Sequence, residues 1–344
     1  MPRSDRPFAR SLIKLGTRLL LGGARAHVQD WFPGLRLAPT QSGGKAIFYR
    51  GRRVGTLESL SALVDASGRS LRIVGSGPSV VHTDLSGTEP ASAILLNGAI
   101  HLIGERIPKP LAVAVEDERF VWRHFDLMHS KIDAGQVCLF SVAVLRALCE
   151  KDPDWLENKR IVLIDDIRKP YGLSRRSLEQ LRVLDFVRTD ATGTFGFSLD
   201  PDRGVFQGGS VAVSALQFAM ALRPAGIGFA GIDIRNATAP RFYETAGQTA
   251  YSGIAEAESR ILGHFTLAKA IADERGIRLR NFSPVSALAQ AGIAYDARLW
   301  RGNERRRRKP SGMNTGRLSG VTVFPRACGG RRECAPSSIC ASGP

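Results

Sequence analysis

The chain has 344 residues, 43% of them apolar, and a formal net charge of +16. That is room for one large α/β domain with appendages or for two small domains. No run of 18 apolar residues occurs, which excludes a membrane-spanning helix, and the charge is concentrated at the ends. Residues 1–30 carry six Arg/Lys against two Asp, and residues 302–344 carry nine against two Glu. The body is therefore only mildly basic, which argues against nucleic-acid binding and for attraction of the ends to an anionic surface.

In chain order, residues 1–30 interleave Phe8, Leu12, Ile13, Leu15 and Leu19–Leu21 with Arg10, Lys14 and Arg18. Charge interrupts the apolar run too often for a secretory signal. The pattern predicts a short basic amphipathic helix, packed on the domain or lying on an anionic bilayer. Residues 45–57 alternate around Gly51 and predict a hairpin, with a helix over 57–64. Strands are expected at 71–74, 91–96 and 111–115, the last ending in Glu116 and Asp117. A helical stretch around Val142, Leu145 and Leu148 and a strand at 160–164 follow. A helix is expected at 209–222, a strand at 227–232, a helix at 254–275, a strand at 277–282 and a closing helix at 285–291. Strands alternating with helices imply an α/β, Rossmann-like fold, a mostly parallel sheet with helices on both faces. The expected division is a basic amphipathic segment at 1–44, the Rossmann-like domain at 45–300 and a basic tail at 301–344, which reads as disordered or out of frame. Cys138 and Cys149 fall in apolar stretches read as helical. Cys328, Cys334 and Cys340 stand six apart without a CxxC pair, so no zinc site is expected and the usage fits a reducing cytoplasm.

Ligands of open α/β sheets bind at the carboxyl ends of the strands, and the candidate residues cluster there. Gly75, Ser76, Gly77, Pro78 and Ser79 follow the first core strand. The glycines allow close backbone approach and the hydroxyls can donate to phosphate or ribose, although the same composition makes ordinary turns. Asn97, before Gly98, ends the next strand and offers donor and acceptor together; its alternative is an Asn-Gly turn. Gly209 and Ser210 open a helix, where Ser210 can cap and the first amides can hold a phosphate. Asp233 ends a strand and is followed by Arg235, Arg241, Tyr243 and Tyr251, able to hold ribose and neutralise a leaving phosphate. Asp200 and Asp202 are read as turn or capping residues in preference to a divalent-ion site. His27, His82, His101, His124, His129 and His264 are scattered, and none adjoins a carboxylate that would mark a tuned base.

Taken in order, IVGSGPSV, LLNGAI, GGSVAVSALQFAMAL, AGIDI and NFSPVSAL resemble the motifs of bacterial sialyltransferases of glycosyltransferase family 42, and of the broader group containing pterin pyrophosphokinase-like proteins. The resemblance covers about residues 70–290. It implies inverting transfer of an acidic sugar (Kdo or sialic acid type) from a CMP-sugar, with no metal and no other cofactor. Ser76 takes the place of a donor-binding asparagine, Asn97 that of the nucleotide-binding asparagine, and Ser210 lies near the family's serine. Arg235 stands at the first of two phosphate-holding tyrosines and Tyr243 lies close to the second. The family's catalytic histidine has no in-register match; His264 is the nearest, with Asp117 or Glu256 as substitutes. The implied partners are a nucleotide-sugar donor and a lipid-linked or oligosaccharide acceptor of lipopolysaccharide or capsule. The implied location is cytoplasmic, peripheral on the inner membrane. Two alternatives stand beside this reading. One is a Mg²⁺-dependent pyrophosphokinase-like enzyme using Asp117, Asp165, Asp166 and Asp233. The other is a non-catalytic nucleotide-binding relative.

Overall fold

A computed structural model describes residues 7–40, 44–63, 68–235, 239–245 and 253–301. The tail expected to be disordered, its three cysteines and Tyr251 lie outside these residues. Among the described residues ten strands form one sheet, in the order β1-β2-β3-β8-β7-β6-β5-β4-β11-β12. The edge is an antiparallel meander of β1 (Leu35–Pro39), β2 (Lys45–Tyr49) and β3 (Arg52–Glu58). Arg50 and Gly51 make the tight turn, both at positive φ (50° and 84°), as a two-residue hairpin with the natural strand twist requires. The parallel body runs from β3 through β8 (Arg160–Ile164), β7 (Val137–Ser141), β6 (Ala112–Val115), β5 (Ala93–Leu96), β4 (Ser70–Val74) and β11 (Gly226–Ala230) to β12 (Arg278–Asn281).

Chain order reverses at β4: β5 to β8 lie on one side of it, β11 and β12 on the other. Such a reversal opens a crevice beyond the strand ends. Strands β5 and β6 are buried at every residue, because helices cover both faces. One face carries α5 (Val211–Ala221) and α6 (Glu258–Glu274); the other carries α2 (Glu118–Lys131) and α3 (Val142–Lys151). Helix α5 packs on β4, β5 and β6 and is buried from Val211 to Met220, which accounts for its nearly uniform apolar sequence. A short helix α4 (Leu178–Arg182) and the small antiparallel pair β9 (Val187–Thr189) and β10 (Gly196–Ser198) form an excursion between β8 and α5.

Several expected elements differ. The helix expected over 57–64 is the end of β3 followed by a single 3-10 turn at Leu60–Ala62; Leu57 instead pairs with Ile161 in the sheet. Cys138 is on strand β7, not a helix. The helix begins only at Val142, where Ser141 accepts the Val144 amide. Burial of β7 on both faces removes the alternation that would have marked it as a strand. Strand β1 and helix α2 are further elements the periodicity did not reveal, and β1 joins the N-terminal segment directly to the main sheet.

Helix α1 (Phe8–Arg25), interrupted by a non-helical Gly22, is inverted relative to the usual amphipathic pattern. Its buried residue is Arg10, which donates to the Phe32 carbonyl (3.0 Å) and reaches Asp30 (3.5 Å). Asp30 also lies 3.6 Å from the fully buried Arg146 of α3, itself paired with Glu118 and Glu150. Phe8, Leu12, Leu15, Leu19 and Leu20 face outward, with Phe8 78%, Leu19 75% and Leu20 85% exposed. Among the described residues no helix is long and apolar enough to cross a membrane.

Candidate active site

The carboxyl ends of β4, β5, β6 and β11 and the amino end of α5 meet over the crevice. A cleft of about 440 Å³ is lined by Ser76, Asn97, Glu116, Asp117, Ser210, Arg241 and Tyr243 among others. A narrower pocket of about 90 Å³ continues from it, sharing Ser76, Asn97, Ser210 and Arg241 and adding Gly75, Gly77 and Asp233. The Ser76 loop, Asn97 and Ser210, far apart in sequence, thus face one cavity.

Each loop has a local reason for its shape. Gly75 and Gly231 press against one another where β4 and β11 end: a Cβ on Gly75 would lie 2.4 Å from the Gly231 carbonyl. The Gly77 amide donates to that carbonyl (2.9 Å). These glycines are therefore needed for the packing of two loops before any ligand is considered. Asp233 is consumed by the same junction. Its carboxylate accepts the Ser79 amide (2.7 Å), the Ser79 hydroxyl (2.6 Å) and the Ser283 hydroxyl (2.7 Å), tying together the loops after β4, β11 and β12. Ser79 is buried and faces Asp233, not the cleft. Arg235 is exposed, 3.9 Å from Glu258, and lines neither cavity.

Asn97 adopts a left-handed backbone (φ 47°), and its buried Oδ1 has no hydrogen-bond partner among the described residues. An orphaned buried acceptor costs free energy until a donor reaches it, which makes Asn97 a candidate ligand contact. Next to it, Gly98 admits the Tyr243 ring, which a Cβ would meet at 2.0 Å. Tyr243 stacks on His101 (4.5 Å between centroids) and meets His124 edge-on (5.7 Å), making an aromatic wall. Burial raises the Tyr243 hydroxyl to about 12 and, assisted by Arg123, lowers His124 to about 4; neither is charged at neutral pH.

Ser210 caps α5, accepting the Ala212 amide (3.3 Å). The guanidinium of Arg260, on α6, lies over Gly209, where a Cβ would come within 2.7 Å of Nη2. Helix amides and an arginine at one point form an anion site. Arg260 escaped sequence reasoning because it sits on a helix 50 residues downstream, and only the packing of α6 on α5 brings it to Ser210.

His264 is on the same helix but does not reach the cleft. It is 1% exposed, lies behind Gly208, and its Nδ1 donates to the Gly196 carbonyl (2.8 Å). Burial lowers it to about 4. It props the glycine-rich loop from beneath. Gln217 supports the loop further upstream, accepting the Ser198 and Phe206 amides (2.9 Å each). Asp117 lines the cleft and caps α2, accepting the Arg119 amide (3.0 Å), and Glu256 is exposed. Asp200 caps the 3-10 turn Pro201–Arg203, accepting the Asp202 amide, and Asp202 ties that turn to the Leu60 amide (2.7 Å).

A carboxylate that sequence reading treated only as a strand end is the most perturbed acid in the cleft. Glu116 accepts the Ser214 hydroxyl of α5 at 2.5 Å. Desolvation raises it to about 7, with the Asp166 and Asp117 charges adding to the shift. Such values gather at sites of proton transfer. The four aspartates offered for magnesium are dispersed. Asp117 lines the main cleft, Asp233 the narrow pocket, and Asp165 and Asp166 a third cavity. Among the described residues no group of three or more His, Cys, Asp or Glu is placed to hold a metal.

Comparison with known proteins places this architecture. A family model described as 3-deoxy-D-manno-octulosonic acid transferase WaaZ matches residues 59–296, the span containing every strand of the parallel body except β3. No curated protein matches the chain. Among solved structures, the sialyltransferase CstII from Campylobacter jejuni with cytidine-5'-monophosphate is similar at 15% identity and a TM-score of 0.35, over 66% of this chain and 84% of that one. The sialyltransferase CST-II with trisaccharide acceptor and CMP is similar at 15% identity and a TM-score of 0.35, over 66% and 86%. Nothing in these comparisons joins the chain to pterin pyrophosphokinase-like proteins. The chain belongs to the 3-deoxy-D-manno-octulosonic acid transferase WaaZ family and is a glycosyltransferase.

Proposed function

We propose that the enzyme transfers 3-deoxy-D-manno-octulosonic acid (Kdo), or a closely similar acidic sugar, from its CMP-activated form to a saccharide hydroxyl of lipopolysaccharide, with inversion and without a metal. The observation that carries this reading is the convergence of Ser76, Asn97 and Ser210 on one cleft, with Arg260 over the same helix terminus. A CMP-sugar presents a single phosphodiester, and one helix terminus with one or two guanidiniums matches that charge. Asn97 Oδ1 supplies the acceptor that a ribose hydroxyl or a base amino group satisfies. Arg241, which lines both parts of the cavity, is placed to stabilise the phosphate as CMP departs. Asp117, at the cleft's acidic wall, is read as a carboxylate that orients the sugar. Ser76 and Gly209 contribute hydroxyl and backbone to the nucleotide.

A thermal-shift comparison of CMP, UDP and ATP tests the donor class, since a ligand that binds only the folded state raises its melting temperature. CMP is expected to stabilise the protein. Release of CMP from CMP-Kdo in the presence of a deacylated lipopolysaccharide oligosaccharide, undiminished by EDTA, is the activity expected. Stabilisation by UDP or ATP alone, or turnover that stops with EDTA and returns with Mg²⁺, would refute the reading.

The outward leucine face of α1 supports a peripheral location at the bilayer that carries such an acceptor. No acidic residue occurs from Pro7 to Gln29, whereas Lys14, Arg18 and Arg25 flank the apolar stripe. An apolar face bordered by cations suits an anionic bilayer surface.

A further inference from the structure

A second cleft of about 390 Å³ opens beside the first and shares three residues with it, Glu116, Ala143 and Gln207. Its walls come from the N-terminal segment and from the loop after β8. They combine cations (Lys14, Lys169, Arg175), aromatic rings (Trp31 and Tyr171, 5.5 Å apart) and the carboxylates of Asp30, Asp165 and Asp166, which are engaged by Arg10 and Arg146, by the Tyr171 amide and by Arg168 in turn. Ring faces accept the C–H surface of a sugar, carboxylates accept its hydroxyls, and cations match carboxylate or phosphate substituents. Among the described residues, the only ionisable group common to both clefts is Glu116. At the shared wall Ala143 carries no bulk beyond Cβ. Glu116 itself is held in place by two elements. Ser214 of α5 donates to its carboxylate, and Ser141, the α3 cap, donates to its backbone carbonyl (2.7 Å).

We propose that the second cleft is the acceptor subsite for an anionic saccharide, and that Glu116, where the two clefts join, is the general base. The proposal rests on the donor reading above. The acceptor hydroxyl gives its proton to the Glu116 carboxylate while its oxygen bonds to the anomeric carbon. The anomeric carbon–phosphate oxygen bond breaks, and CMP leaves with that electron pair. The carboxylic acid then returns its proton to solvent. No other reactant is needed. Inversion requires the hydroxyl to approach from the second cleft on the side opposite the phosphate held at Ser210 in the first.

The groups that set the protonation of Glu116 are Ser214 from α5, the adjacent Asp117, and Asp166 and Arg168 after β8. The Ser214 hydroxyl favours the carboxylate, so Ser214→Ala moves the acidic limb of the pH–rate profile to higher pH than in the wild type. Glu116→Gln lowers kcat for CMP-Kdo and deacylated oligosaccharide by 100-fold or more, with the CMP-induced thermal shift unchanged. Ala143→Phe obstructs the junction, so transfer falls while CMP binding persists. Lys169→Ala with Arg175→Ala raises the acceptor KM and leaves the donor KM within about twofold. Glu116→Gln within threefold of wild type, or an acidic limb unmoved in Ser214→Ala, overturns the assignment of the base. An acceptor KM unchanged by both the Ala143 and the Lys169/Arg175 substitutions overturns the subsite. Absence of a CMP shift in the wild-type protein instead strikes the donor reading on which both rest.

Discussion

Ser210, Asn97, Asp233 and Arg260 show how differently residues that look alike in sequence are used. Asp233 already accepts three hydrogen bonds from Ser79 and Ser283, which fix its carboxylate between two loops; it is a strut. Replacing it by alanine leaves three buried donors unsatisfied, at a cost of about 3 kcal/mol, seen as a lower urea midpoint that bound CMP only partly restores. Arg260 is exposed and projects over the α5 terminus. Its alanine variant should keep the wild-type melting temperature within about 2 °C. It should lose 10- to 100-fold in kcat/KM for the donor, the worth of a charge-assisted contact to phosphate. An equal loss of stability would make Arg260 structural. Gly98→Ala should displace Tyr243 from the cleft, since no Cβ fits 2.0 Å from its ring. The measurement is CMP affinity, which should fall without a change in the far-ultraviolet spectrum.

Helix α1 is the element whose sequence and setting disagree most with ordinary packing. A helix with Arg10 inward and six large apolar side chains outward is unfavourable in water and favourable at a lipid interface. Leu12→Ser, Leu15→Ser and Leu19→Ser together should abolish co-sedimentation with phosphatidylglycerol-containing vesicles and leave the Arg10–Asp30–Arg146 ties, and hence the fold, intact. Co-sedimentation unaffected by these changes, or equal on neutral vesicles, would remove the membrane interpretation. Helix α5 is the opposite case. It is buried all round because the sheet, α6 and the loop held by Gln217 enclose it, and its amino end is therefore held as a fixed dipole facing the cleft.

Over the whole molecule the buried acids and histidines oppose one another. Glu116 and Asp165 are raised to about 7 and about 6 by desolvation. Folding therefore favours their protonated forms, and their contribution to stability declines as pH climbs from about 4.5 toward 7. His264 and His124 are lowered to about 4; folding favours their neutral forms, and their contribution is lost as pH falls from 6.5 toward 4. The two trends cancel in part, so wild-type stability should vary little between pH 5 and 7.5. Glu116→Gln removes one side of the balance, and its stability relative to wild type should rise by about 2 kcal/mol over that interval, measured by urea unfolding at both pH values. A difference independent of pH would contradict the raised pKa of Glu116.

Composition and periodicity sufficed for the parallel sheet, because β4, β5, β6, β8 and β11 are short apolar runs each closed by a polar loop, a pattern that only a sheet covered on both faces explains. Local chemistry also revealed Ser76, Asn97 and Ser210, since strand-end loops and helix caps leave a signature within a few residues. Strand β7 and helix α2 stayed hidden. Continuous burial erases the period of the first, and the second presents a mixed surface broken by a non-helical His124. What the tertiary structure alone decided is which of the polar residues share a space. It turned His264 and Asp233 inward as supports, carried Arg260 across from α6, and set Glu116 between two clefts. Those outcomes depend on strand order and on helices packing from distant parts of the chain, and interactions of that range are not encoded in any local window of residues.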